Sequence, residues 1–355
     1  MIPIGTRRLI LRLLLTLPLA ALVWLVVTLL SPPFRVLNAP GHYDHREGAL
    51  GANISVALRP LVFGPEYRLN GGPWRPLDLG HSRAVTPLTT LEFTPDELRA
   101  GENLCELRHR SLLGTPVDEL RFTYDPAEIR LPLHVDWSAG PVEVQDGWWT
   151  RLEVDGGWRV RPEPGYEGYD RILLVVGAIQ GGRRVETEVT FRSRVEVSKI
   201  GEYGFGVFSL WGGHPDEPDR GGGLRRGWRF AMSWFWSKPG GVGNEISERV
   251  ADGPSHWVNT YRDYDVRPGS THRVVVETQP AYDQEGVFHG WRIRSKWWPR
   301  GADEPQEWMV TWDREGAPLP DLGYGVGLMA LLCQVEYGPV EVEALPPLLV
   351  PEPGR

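Results

Sequence analysis

Cysteine is almost absent. Cys105 and Cys333 are the only two in 355 residues, far apart and in no metal-like spacing, which excludes a disulfide framework and a cysteine-rich zinc site and leaves two separate buried thiols. Runs of lysine or arginine are also missing and the net charge is -8, so the electrostatic footprint of a nucleic-acid binder is not there. No His-x-x-x-His pair, Gly-x-Ser-x-Gly elbow or phosphate loop occurs, which disfavours metalloprotease, serine-hydrolase and nucleotide chemistry. Beyond residue 31 the apolar residues lack the period near 3.6 that a long helix requires.

What the chain has in excess is glycine (42), proline (32) and tryptophan (16), which suits short strands joined by many tight turns. At its start, Leu13 to Leu30 is uncharged and mostly apolar and follows Arg7, Arg8 and Arg12; at about 1.5 Å per residue this is enough helix to cross a hydrocarbon core. Basic residues stay on the cytoplasmic side, so residues 1–31 read as a cytoplasmic tip and a transmembrane anchor, with the bulk periplasmic or extracellular. A cleaved signal peptide is the competing reading. The run exceeds the usual signal core, and Leu37 and Ala39 ahead of Pro40 make a poor cleavage site, which favours retention as a single-pass anchor.

Residues 32–50 are rich in Pro, His and Gly without apolar alternation and read as a spacer. Across 51–126, alternating runs at Ile54–Leu58, Tyr67–Leu69, Thr90–Phe93, Leu104–Arg108 and Glu119–Tyr124 are separated by turn signals such as Asn70-Gly71-Gly72, the rhythm of a small sandwich. Pro95 to Arg99 suits a single helical turn. In 127–348 the strand candidates are Arg171–Val176, Val185–Val197, Phe205–Trp211, Trp228–Trp236, His272–Thr278, Trp291–Trp298, Glu307–Trp312 and Val326–Val342, which predict two packed antiparallel sheets. Residues 349–355 form a tail. The expected class is all-β.

Several strings carry a resemblance: Tyr67-Arg68-Leu69-Asn70-Gly71-Gly72 and Leu98-Arg99-Ala100-Gly101-Glu102-Asn103 in the first unit; Val135-Asp136-Trp137-Ser138, Gly168-Tyr169-Asp170-Arg171, Tyr203-Gly204-Phe205-Gly206-Val207, Leu210-Trp211-Gly212-Gly213-His214 and Gly323-Tyr324-Gly325-Val326-Gly327-Leu328 in the second. In order and texture the chain resembles uncharacterised bacterial exported proteins with a concanavalin A-like lectin/glucanase (laminin-G-like) sandwich behind an immunoglobulin-like domain. The resemblance implies an immunoglobulin-like sandwich followed by a concanavalin A-like jelly roll, and a glycan-binding surface as the commonest use of that fold. It fixes no activity, because lectins, glycosidases, lyases and adhesion modules share it.

Sugar recognition needs flat apolar faces beside planar hydrogen-bonding groups. In Trp291–Trp298 the strand period puts Arg292, Arg294, Lys296 and Trp298 on one face and Trp291, Ile293, Ser295 and Trp297 on the core face. The first set is either a site for uronate, sulfate or phosphate groups or a solvated outer face. In Trp228–Trp236 the stripe Trp228, Phe230, Met232, Trp234, Trp236 is expected in the sandwich interior, with Trp236 at the strand end as a binding candidate. Trp211 and His214, opening a glycine-rich loop, are expected at a rim.

Retaining glycosidases of this superfamily set carboxylates two residues apart on a strand. Glu186 and Glu188 have that spacing and are the catalytic candidates, but Thr190 stands where a third acid belongs, and an ion-paired face with Arg184 and Arg192 explains them equally. A lyase would use a Tyr or His base, from Tyr261, Tyr264, His256 or His289, beside a cation. Laminin-G-like relatives hold Ca²⁺ at the rim, which nominates Asp170; Tyr337-Gly338-Pro339 lacks the ligand many relatives offer, and a structural Asp170 paired with Arg171 competes. The functional expectation is a membrane-anchored protein binding cell-surface glycan or exopolysaccharide, with a polysaccharide lyase or glycoside hydrolase and an envelope scaffold without a sugar site as the rivals.

Overall fold

The computed structural model describes residues 20, 22–24 and 26, and residues 31–350 apart from 37–41, 45–51, 60–61, 78–87, 94, 111–114, 127–128, 142, 166–170, 196–201, 212–229, 239–240, 250–255, 261–265 and 317–323. Most of the apolar start, and with it the expected transmembrane helix, lies outside the described residues. Among those described, no helix is long and apolar enough to cross a membrane. Leu22, Val23, Trp24 and Val26 are helical and exposed.

The first unit contains β1 (Phe34–Val36), β2 (His42–Asp44), β3 (Ala52–Leu58), β4 (Phe63–Leu69), β5 (Arg75–Pro76), β6 (Leu88–Phe93), β7 (Gly101–Arg110) and β8 (Val117–Asp125), with one 3-10 turn at Pro95–Glu97. Its described strands form a sheet ordered β1-β3-β6 and another ordered β2-β8-β7-β4-β5. Period-two alternation sends Ile54, Val56, Leu91 and Phe93 from one sheet and Leu107, Phe122 and Tyr124 from the other into a shared core. Asn103 is fully buried because it closes the turn before β7: its amide donates to the Arg99 and Gly101 carbonyls at 2.8 and 3.0 Å, and its oxygen accepts from Asn70 Nδ2 at 2.8 Å.

The expected spacer is partly strand. β1 pairs with β3 and β2 runs parallel to β8, and Phe34 is buried in the first core. Composition concealed this, since three-residue strands between prolines leave no alternation to detect.

The second unit contains β9 (Leu133–Val135), β10 (Glu143–Asp146), β11 (Trp149–Val154), β12 (Gly157–Pro162), β13 (Arg171–Ile179), β14 (Gly182–Arg194), β15 (Tyr203–Trp211), β16 (Phe230–Lys238), β17 (Gly241–Arg249), β18 (His256–Thr260), β19 (Thr271–Tyr282), β20 (Phe288–Pro299), β21 (Val310–Glu315), β22 (Tyr324–Leu331), β23 (Cys333–Leu345) and β24 (Leu348–Leu349). A seven-stranded sheet runs β10-β13-β22-β15-β16-β17-β18. A nine-stranded sheet runs β11-β12-β23-β14-β19-β20-β21, with β24 beside β19 and β9 beside β23. The run expected as one strand over Val326–Val342 is two, one in each sheet. Leu332, at φ 50°, turns the chain between them.

A single core fills the space between the sheets, from Phe205, Phe235, Ile246 and Leu328 on one side to Val185, Val274, Trp291 and Trp297 on the other. Polar groups cross it in pairs. The Tyr337 hydroxyl accepts from the Gly206 N–H at 3.0 Å and lies in donor range of the Gly206 and Met329 carbonyls. Ser295 Oγ donates to Asn244 Oδ1 at 3.0 Å, and Arg314 Nε donates to Glu248 Oε2 at 2.6 Å. Each bond ties one sheet to the other and satisfies a group that burial would otherwise penalise.

Candidate functional site

The outer face of the nine-stranded sheet holds Arg292, Arg294 and Lys296 in a row, as the strand period requires, but the row is neutralised. Arg292 donates twice to Asp313, at 2.6 and 3.1 Å. Arg294 Nε donates to Glu277 at 2.8 Å, and Lys296 Nζ lies 2.6 Å from Glu304 and donates to the Pro305 carbonyl at 2.9 Å. Trp308 meets both cations, its ring centroid 4.4 Å from the Arg294 guanidinium and 4.6 Å from the Lys296 ammonium, so one indole serves the two. The hydrogen bond from Lys296 holds the Glu304 carboxyl below its usual range. Trp298, expected at the end of a binding row, is buried.

The two catalytic candidates lie on this same face, each engaged by two guanidinium groups. Glu186 meets Arg184 at 3.2 Å and Arg273 at 3.6 Å; Glu188 meets Arg159 at 3.1 Å and Arg300 at 3.3 Å. Arg192, expected beside them, pairs with Glu336 at 2.6 Å instead. The arrangement is a lattice of alternating charge across neighbouring strands. A nucleophile and acid flanking a glycosidic bond would need carboxylates open to a cleft.

The outer face of the seven-stranded sheet carries the aromatic stripe, and here the sequence expectation is inverted. In β16 it is Ala231 and Phe235 that enter the core between the sheets, while Met232, Trp234 and Trp236 point away from it. They join Phe208, Trp211, Ile172, Leu174, Met329 and Leu331 in a second cluster. The alternation of β16 resolves its two faces but not which is inner, because both are apolar. Facing glycines decide it: a Cβ on Gly206 would lie 2.3 Å from Cβ of Trp234, and one on Gly204 2.9 Å from its ring. Trp234 therefore lies against β15 where only hydrogen allows it.

Trp211 belongs to this floor rather than to a rim and is 2 % exposed. Two residues with no part in the sequence expectation complete the face. Glu245 on β17, opposite Trp234 in register, accepts from its indole N–H at 3.2 Å. Trp257 on edge strand β18, opposite Ser247, is 59 % exposed. Trp236, partly exposed, pairs with Gly243. Gly243 and Ser247 are four residues apart on β17, about 13 Å at 3.3 Å per residue, with Glu245 midway between them. The Val242–Ser247 alternation after Gly240-Gly241 was the available signal.

Trp211 and Trp236 thus lie on the opposite side of the sandwich from Arg292, Arg294 and Lys296, and the expected mixture of indole and cation on one surface does not form. His214, Asp170, Tyr261 and Tyr264 lie outside the described residues. His289 pairs with Asp283 at 2.9 Å, a hydrogen bond that lowers the Asp283 carboxyl; His256 stands on the edge strand β18. Among the described residues no three His, Cys, Asp or Glu side chains gather as a metal site. Both cysteines are buried and neither forms a disulfide; burial pushes the Cys105 thiol up to about 12.

The fold and these faces define an all-β protein of two sandwich-like units, the larger with one ion-paired and one aromatic outer face. No family model matches the chain, and no curated protein matches its sequence. Among solved structures, a carbohydrate binding module (CBM66) from Bacillus subtilis aligns with a TM-score of 0.34 and 10 % identity over 57 % of this chain and 94 % of that one. A legume lectin-like domain from Entamoeba histolytica aligns at 0.35 and 11 % over 55 % and 87 %. At such scores the chemistry of the faces rests on their own geometry.

Proposed function

We propose that this protein is a membrane-anchored, extracytoplasmic glycan-binding protein without catalytic activity, an immunoglobulin-like sandwich standing ahead of a concanavalin A-like one. The observation that carries the reading is the outer face of the seven-stranded sheet: Trp236 and Trp257 reach solvent on either side of Glu245, over a floor of aromatic and glycine positions. Indole faces suit the C–H side of a pyranose, and Glu245, 8 % exposed, holds the Trp234 indole of the floor in place between them. Pairing of Arg292, Arg294 and Lys296 removes the reason to favour an anionic polymer, so neutral glycan is the expected ligand. The guanidinium groups on Glu186 and Glu188 argue against hydrolysis at that pair.

A glycan array probed with the full chain in detergent tests this. Binding to a subset of glycans that Trp257→Ala and Trp236→Ala each weaken about tenfold or more, with polysaccharide of unchanged length recovered, is expected. Shortened products would establish a hydrolase or lyase. Binding to no sugar would leave the scaffold reading.

A further inference from the structure

In the anchor reading the first unit follows the apolar run directly in sequence. The apolar run ends at Leu30, and the Ser31 carbonyl already accepts from Arg59 Nη1 at 2.7 Å. The Pro33 carbonyl accepts from the Arg59 N–H at 3.1 Å. Phe34 then enters the first core, its ring edge-on to His109 with centroids 5.7 Å apart. Successive Cα atoms are about 3.8 Å apart, so a bilayer crossed by residues 13–30 brings the Arg59 end of this unit to its surface.

Strand register identifies what else stands at that end. Phe34 pairs with Leu58, Phe63 with Arg110, and Arg108 with Val117. Three residues of chain join Arg59 to Phe63. The end of β3, the start of β4, the end of β7 and the start of β8 therefore gather beside the start of β1. Phe63 is 64 % exposed and Val117 46 % exposed, with exposed Arg110 directly opposite Phe63 and Asp118 as the neighbouring acid. In water an exposed phenyl is unfavourable; at the boundary between headgroups and acyl chains it is stabilised, and arginine beside it meets phosphate.

We propose that this end of the first unit docks on the surface of an anionic phospholipid bilayer, with Phe63 and Val117 seated at the headgroup boundary and Arg110 on the phosphates. The proposal rests on the anchor reading. It means that the first unit rests on the membrane surface rather than moving as a body on a leash.

The full chain, carrying Phe63→Cys labelled with an environment-sensitive fluorophore, is reconstituted into phosphatidylcholine vesicles with or without phosphatidylglycerol and with nitroxide-bearing lipid as quencher. Cys105 and Cys333 are buried and do not compete for label. Quenching of about twofold or more is expected at residue 63 and at Val117→Cys, weaker without the anionic lipid and absent at Val287→Cys, an exposed position in the second unit. Chain that floats with the vesicles yet is unquenched at both 63 and 117 overturns the docking and leaves the anchor. Chain that does not float overturns both.

Discussion

Arg183 is fully buried in the larger unit, and its guanidinium is held by carbonyls alone: Tyr324 at 2.5 Å, Ile179 at 2.8 Å and Gly181 at 2.9 Å. Burial lowers its pKa to about 10, still charged at neutral pH. It fixes the turn between β13 and β14 to the start of β22, so Arg183→Met, which leaves three acceptors unsatisfied, is expected to destabilise by about 3 kcal/mol or more in chemical denaturation. His109 is the opposite case, a buried ring with no hydrogen-bond partner on either nitrogen among the described residues. Its pKa is lowered first by desolvation and then by Arg59, with Asp118 acting against them; burial lowers His272 as well. A histidine whose folded pKa lies below the unfolded value of about 6.5 binds its proton more readily in the unfolded chain. Stability is then complete above that value and lost as pH falls below it. His109→Phe keeps the ring against Phe34 and is expected to flatten the fall in melting temperature of the first unit between neutral and mildly acidic pH. An unchanged slope would show that His109 does not carry it.

At the scale of strands, close approach and charge pairing give separate tests. Gly206 admits Trp234 at a distance no Cβ allows, so Gly206→Ala forces β15 and β16 apart and is expected to cost about 3 kcal/mol. On the ion-paired face, Glu277 serves both Arg184 and Arg294 and is 10 % exposed, whereas Asp313 serves Arg292 and is 63 % exposed. Glu277→Gln should destabilise by about 2 kcal/mol and Asp313→Asn by no more than about 0.5 kcal/mol in urea melts, because solvent screens the second pair. Strands of this kind were legible in the sequence where one face is apolar and the other charged, as in β20, whose Arg292, Arg294, Lys296 row and Trp291, Ile293, Trp297 row fall on the faces that alternation predicts. They were illegible in inside-outside sense where both faces are apolar, as in β16, and in extent where a single left-handed residue, Leu332, does the work of a turn. The hairpin of β11 and β12 was missed although Asp155-Gly156, both at positive φ, is a strong hairpin signal. Glu245 and Trp257 carry little signal because β17 is polar and β18 is only five residues long. The pairing of each cation with an acid on a neighbouring strand was invisible, since register joins residues such as Glu277 and Arg294 only after the sheet is built.

At the scale of the molecule, each unit has a core of its own, and the chain from Ser31 to Val36 belongs to the first. β1 supplies an edge strand to β3, Phe34 supplies a core ring, and the Ser31 and Pro33 carbonyls take two hydrogen bonds from Arg59. A chain beginning at Ser31 keeps all of these; one beginning at Leu37 keeps none. Removing a buried phenylalanine alone costs about 3 to 5 kcal/mol, a large part of the 5 to 15 kcal/mol typical of a whole domain, and the orphaned edge of β3 adds to it. The shorter chain is therefore expected to show an early unfolding transition for the first unit while the second, with its own core from Phe205 to Trp297, melts where it did before. Hydrogen exchange read strand by strand distinguishes the outcomes. Amides of β3 and β6 should lose protection in the chain from Leu37 and those of β14 and β19 should keep it; equal loss in both units would mean that the two cores unfold as one, and no loss in either that β1 is an ornament rather than a member of the fold.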